Sequence, residues 1–226
     1  ITAGLLACSA AFPAQALMDD LPTMLAIRAA AGFSIGAVIF PLVAYTSELP
    51  RYEDRVGRVA AFGSLGWFFG FLMAGAVGDY DASFLATGAL FLAAFGISLT
   101  LPKPPGGPAR LERPKLAPSG VVRRNIGLYA TYFLRHFGAN AIWIIFPIYL
   151  AELGASEAWI GVIYAINSGT QFAVMNLSGR LSRALGDAAM VRAGLGLSAL
   201  AFALYPLASN YYEVIPAQFA LGLSLI

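Results

Sequence analysis

VAAFGSLGWFFGFLMAGAVGDYDASFLATGALFLAAFGISLTL, residues 59–101, contains two apolar runs separated by a gap whose only charges are Asp79 and Asp81. At 1.5 Å of rise per residue, about 20 apolar residues span the ~30 Å hydrocarbon core of a bilayer. The stretch therefore predicts two membrane-spanning helices joined by a short acidic turn. Working outward, the same reading gives eight spans, at 1–18, 22–46, 59–78, 83–101, 126–151, 158–178, 189–209 and 212–226. The first and last are cut short, and with Ile1 at one end and Ile226 inside an apolar run at the other, the chain reads as an internal fragment.

Charge placement orients the spans. Twelve of the 14 Lys and Arg fall in three gaps, carrying Arg51, Arg55 and Arg58, then Lys103 to Arg124, then Arg180, Arg183 and Arg192. The gaps between them carry Asp19 and Asp20, Asp79 and Asp81, Glu152 and Glu157, and Glu213. Lys and Arg concentrate in cytoplasmic loops, so the basic gaps are expected inside and the acidic ones outside. Composition agrees: 59% of residues are apolar and 12% charged, with a mean hydropathy of +0.73, which is too much apolar surface for a soluble domain of 226 residues to bury. A sole cysteine, Cys8, excludes an internal disulfide, and with one histidine, His136, it falls short of a usual zinc ligand set. No metal, cofactor or nucleic-acid partner is expected; the lipid bilayer is.

The 102–125 gap is long, basic and holds six of the 13 prolines, which predicts a semi-extended cytoplasmic linker. It divides the chain into 1–101 and 126–226, four spans each. Sliding the C-terminal end over the N-terminal end at an offset of 190 aligns ITAGLLACSAAF (1–12) with VRAGLGLSALAF (191–202), and RAAAGFS (28–34) with QFALGLS (218–224). Nine of 36 positions match without a gap, among them Gly4 and Ser34. Spans 1 and 2 would then recur as spans 7 and 8, a period of six helices and a parent of about twelve.

Three stretches, in this order, carry a family resemblance. LAIRAAAGFSIGA (25–37) resembles the fourth-helix signature of the major facilitator superfamily of secondary transporters, FPIYLAELGASEAWIGVIYAINSG (146–169) is similar to its passage from helix seven to helix eight, and GRLSRALG (179–186) resembles the C-terminal copy of its loop motif. The resemblance implies an all-α, polytopic fold running from helix three to helix ten of twelve. It also implies a monomeric carrier of the inner or plasma membrane that moves a small solute by alternating access, with or without a coupled ion. Two departures stand out. Arg183 occupies the place where the loop motif carries Asp, and Trp67 stands where antiporters of the family show Pro, so the antiporter signature is not met.

Gly66 with Gly70, and Gly32 with Gly36, form GxxxG pairs, which are expected to let helices approach closely. GFSIG (32–36) matches a G-x-S-x-G nucleophile pattern, but that chemistry needs a strand-to-helix elbow, and Ser34 is expected mid-helix. A polytopic enzyme using a Ser34/His136 dyad and a non-transporting, carrier-like receptor are the two alternatives to a carrier.

Inside the spans only Arg28, Arg135 and His136 are ionisable. An arginine deep in a spanning helix costs about 2.5 to 3.5 kcal/mol on insertion scales, so such residues face a cavity or a partner. His136, Asn140 and Trp143 follow at i, i+4 and i+7 and share one helix face, with Arg135 beside them. Asn167 and Gln171 form a second polar pair on the next span. These six residues and Arg28 are the expected lining of a solute pathway, and two arginines facing it would select an anionic solute. No Asp or Glu lies within a span, so any proton carried by these helices would have to ride on His136.

Overall fold

Asp20, Asp79 and Ser156 each stand one residue ahead of a helix and accept a hydrogen bond from its first turn. Thr23 N donates to Asp20 Oδ1 at 2.9 Å, Ala82 N to Asp79 Oδ1 at 2.8 Å and Trp159 N to Ser156 Oγ at 3.4 Å. These side chains satisfy amides that the helix itself leaves unpaired, and carboxylates there also meet the positive end of the helix dipole. Thr23 holds the Asp20 carboxyl below its ordinary range through backbone and side-chain hydrogen bonds. Acidic or hydroxyl caps thus start the helices that begin at Leu21, Tyr80 and Glu157, and Arg183 stands in the last turn of the helix over Glu157–Leu185.

The computed structural model describes residues 1–47, 52–102 and 119–224. They form α1 (Thr2–Ala14), α2 (Leu21–Ser47), α3 (Tyr52–Val77), α4 (Tyr80–Ser98), α5 (Ser119–Arg124), α6 (Ile126–Glu152), α7 (Glu157–Leu185), α8 (Asp187–Leu204) and α9 (Ile215–Leu223), with short 3-10 turns and no strand among the described residues. Each of the eight expected spans is represented by a helix. Five segments are long and apolar enough to cross a membrane: Leu21–Thr46, Gly57–Val77, Tyr80–Ser98, Ile126–Glu152 and Ala188–Leu207. The spans expected at 1–18 and 212–226 are shorter helices, α1 and α9. α7 is long enough at 29 residues, but it carries Asn167, Ser168, Thr170, Gln171 and Asn176. Of the linker, 103–118 lies outside the described residues, and 119–124 is helical where an extended chain was expected.

α3, which precedes the linker, and α7, which follows it, meet along an antiparallel seam. Gly57, Ala61, Ser64, Phe68, Phe71 and Gly75 repeat at a spacing of three and four, which puts them on one face of α3. Ala61 is fully buried, the Phe71 ring lies 4.8 Å from that of Tyr164, and Phe68 packs against Gly169. At the acidic end the backbones touch: a Cβ on Gly161 would sit 2.6 Å from the Phe71 carbonyl oxygen, and one on Gly75 would sit 3.1 Å from Gly161 Cα. The GxxxG expectation is corrected here. A Cβ on Gly32, Gly66 or Gly70 would meet nothing within 4 Å, and one on Gly36 would meet only Phe40 of its own helix. Gly66 and Gly70 fall outside the 57–61–64–68–71–75 stripe.

The 190-residue offset reappears in three dimensions. α1 ends at Ala14 and runs into a 3-10 turn, Gln15–Leu17; α8 ends at Leu204 and runs into another, Tyr205–Leu207. Gly4 lets α1 approach the α2 backbone at Ala37, and Gly194 lets α8 approach the α9 backbone at Ser224. Arg28 Nη1 donates to Gln15 Oε1 at 3.0 Å, and at the two corresponding positions Gln218 Nε2 donates to the Tyr205 hydroxyl at 3.1 Å. One interhelical clasp is built twice from different side chains.

Candidate functional site

α6 carries the stripe expected of it. Asn140 Nδ2 donates to the His136 carbonyl at 2.8 Å, and His136 Nδ1 donates to the Tyr132 carbonyl at 2.9 Å, with the Tyr132 and His136 rings 4.0 Å apart. A protonated Nδ1 leaves Nε2 of the neutral ring as an acceptor. Both bonds satisfy carbonyls one turn back along the same helix, so they orient the side chains without tying α6 to a neighbour.

These residues open onto a cavity of about 330 Å³ between α3, α6, α7 and α9. Arg135, His136, Asn140 and Trp143 line it from α6, Asn167, Ser168 and Gln171 from α7, Trp67 and Phe71 from α3, and Leu221 from α9. Six of the seven residues singled out in the sequence therefore share one cavity. Arg28 does not line it; its guanidinium is used in the clasp to Gln15. Trp67 draws notice only as a departure from the antiporter signature and Phe71 draws none, because neither stands at helical spacing from an ionisable or amide side chain of its own helix, as Trp143 does from His136 and Asn140. Ser168 carries no signal of its own as a serine in a helix. The stripe on α3 would have found Phe71.

The amides are hydrogen-bonded across helices as well as facing the cavity. Gln171 Nε2 donates to Asn167 Oδ1 at 2.6 Å, Ser64 Oγ to Gln171 Oε1 at 3.3 Å, and Asn167 Nδ2 to the Gln218 carbonyl at 3.2 Å. This chain joins α3, α7 and α9 through residues that are nearly or fully buried, where an unmade hydrogen bond costs about 1–3 kcal/mol. Gln218 Oε1 has no partner in it. Arg135 and His136 also line a second cavity of about 320 Å³ between α6, α8 and the end of α9, and Arg135 Nη2 lies 3.5 Å from Ser198 Oγ. Among the described residues neither cavity is lined by Asp or Glu.

Toward the acidic end Phe71 and Trp143 form a partition. They line the central cavity on one side and, on the other, a vestibule of about 510 Å³ that also includes Tyr164, Asp79 and Glu157. The Trp143 and Tyr164 rings are 4.7 Å apart, and the Tyr164 hydroxyl donates to the Trp143 carbonyl at 3.2 Å. The chamber and the vestibule thus share Phe71 and Trp143, whose rings each pack at a tilt against Tyr164.

The family profile described as Major Facilitator Superfamily matches residues 1–225. The chain belongs to the major facilitator superfamily. It is accordingly an all-α, multi-pass membrane protein and a transporter of that superfamily, whose members are generally not enzymes. No curated protein and no solved structure matches the chain. In this major facilitator protein Ser34 Oγ donates to the Ala30 carbonyl at 2.8 Å and His136 bonds to Tyr132, so among the described residues no hydrogen bond joins the two into a dyad. Ser34 is the repeat-mate of Ser224, which seats α9 against α8 through a 2.8 Å hydrogen bond from Ser198.

Proposed function

We propose that the protein moves a small anionic solute across the inner or plasma membrane by alternating access, binding it in the cavity between α3, α6, α7 and α9. The observation that carries this reading is a half-buried arginine, Arg135, facing a cavity with no carboxylate among the described residues that line it. A buried cation needs an opposing charge, and a solute anion supplies it transiently where a resident acid would do so permanently. Asn140, Asn167 and Gln171 add directional donors and acceptors, while Trp67 and Trp143 offer apolar faces.

α3 and α7 come from opposite sides of the linker, so a solute held among them feels both halves. Phe71, Trp143 and Tyr164 stand between the chamber and the vestibule, and their movement would gate passage between the two. Where a proton accompanies the solute, His136 is the carrier this cavity offers, with Nε2 as the accepting atom. The openness of the α6 stripe to the cavity supports a carrier over a receptor whose stripe is packed away. In the full-length protein Arg135→Ala and Asn140→Ala are each expected to abolish solute flux while the protein stays folded in the membrane. Undiminished flux in both variants would refute the assignment of the cavity.

A further inference from the structure

The Tyr164 ring of α7 lies 4.8 Å from the Phe71 ring of α3 and 4.7 Å from the Trp143 ring of α6, which fixes one level of the chamber across three helices. Toward the basic end, α3 reaches Ser64 seven residues before Phe71, α7 reaches Gln171 seven residues beyond Tyr164, and α6 reaches Arg135 eight residues before Trp143. At 1.5 Å of rise per residue each step is about 10–12 Å, so these three residues stand at a second common level. The 3.3 Å hydrogen bond from Ser64 Oγ to Gln171 Oε1 ties α3 to α7 in that register. Phe71 and Trp143 line the chamber at the first level, and Arg135 and Gln171 line it at the second. The buried amides are largely spent on the protein, since Gln171 Nε2 donates to Asn167 Oδ1 and Asn167 Nδ2 to the Gln218 carbonyl. The two levels therefore offer a solute different things, aromatic surface at one and a guanidinium at the other.

Resting on the anionic reading above, we infer that the solute is an amphipathic monocarboxylate that carries an aromatic ring, with its carboxylate on Arg135 and its ring against Phe71 and Trp143. A guanidinium fork matches the two oxygens of a carboxylate. Ring pairs in tilted or edge-to-face contact add to what burial of apolar area supplies. Inorganic phosphate would occupy the Arg135 level alone and leave the rings unfilled. A dicarboxylate would bury its second charge against those rings, and a charge out of water without a partner is costly. Size agrees with the class. At about 30 Å³ for each water, a chamber of about 330 Å³ holds about eleven water-sized groups, the bulk of a phenyl ring on a short acid chain.

The test is isothermal titration calorimetry of the full-length protein in detergent with 3-phenylpropionate, propionate, succinate and the uncharged 3-phenylpropionamide. 3-Phenylpropionate is expected to bind about tenfold or more tightly than propionate, the ratio that burial of a phenyl group gives, and to bind more tightly than succinate. Trp143→Ala should reduce the ratio to about threefold or less while propionate binds as before, and Trp143→Phe should restore most of it. General loss of structure would weaken both acids together. Equal affinity for propionate and 3-phenylpropionate, tighter binding of succinate, or a wild-type ratio in Trp143→Ala would overturn the aromatic class and leave the anionic reading standing. Binding of 3-phenylpropionamide as tightly as 3-phenylpropionate, or of none of the three acids, would overturn the anionic reading itself.

Discussion

Placing a methyl group on Gly161 tests the α3–α7 seam directly. In Gly161→Ala the new Cβ would lie 2.6 Å from the Phe71 carbonyl oxygen and 3.0 Å from Gly75 Cα, backbone atoms that no side-chain rotation can clear. Ordinary contact begins near 3.4 Å, so the helices must separate by roughly 0.8 Å at that level, with loss of van der Waals contact along the stripe. Overpacking of this kind costs about 1–3 kcal/mol, opposed by a gain of about 0.4–1 kcal/mol from replacing glycine in a helix. A fall in melting temperature of about 2–4 °C per kcal/mol is expected for the purified protein in detergent. Gly75→Ala acts on the same gap, with its Cβ 2.9 Å from the Glu157 carbonyl oxygen, so the double variant should cost less than the sum of the two singles. Gly66→Ala and Gly70→Ala meet open space and should leave the melting temperature unchanged or raise it. A loss from Gly66→Ala as large as that from Gly161→Ala would refute the seam and restore the GxxxG face in its place.

Arg28→Ala should lower stability by about 1 kcal/mol through loss of the Gln15 hydrogen bond, with flux retained, whereas Arg135→Ala removes flux with the fold retained; flux measured beside melting temperature separates them. Asp20 contributes stability at pH values above its unfolded pKa, because its carboxyl is held low in the fold, and that contribution is lost as pH falls through the folded pKa. In Asp20→Asn the acid-side decline in melting temperature should therefore be shallower than in wild type, and an unchanged pH profile would remove the cap from the account.

Charge and hydropathy made all eight helices and their alternation legible, because a bilayer penalises misplaced charge over whole segments. Single positions were less legible. Arg28 and Arg135 look alike as intramembrane arginines, and only packing separates them: one side chain meets Gln15 across α1 and α2, the other faces a cavity. The clasp at 15 and 28 escaped detection because its repeat-mates, Tyr205 and Gln218, conserve a hydrogen bond and not a residue type. GxxxG failed as a guide for the same reason. It records spacing along one helix, whereas close approach requires that the facing residue also be small, as at Gly75 with Gly161 and at Gly57 with Ser178. The polar content of α7 kept it out of the helices apolar enough to cross a membrane, yet those same amides build the chamber wall.

Solvent access to the chamber is the central claim, and the chain offers a clean probe of it because its sole cysteine, Cys8, is fully buried. In the full-length protein, Ala139→Cys in a background with Cys8 and any other cysteine replaced by Ser places one thiol on the cavity wall at little steric cost. Labelled in sealed vesicles of either orientation with a membrane-impermeant maleimide, this thiol should react from both faces, and reaction from each face should fall when transported solute is present. A thiol that reacts from neither face would contradict alternating access through this cavity.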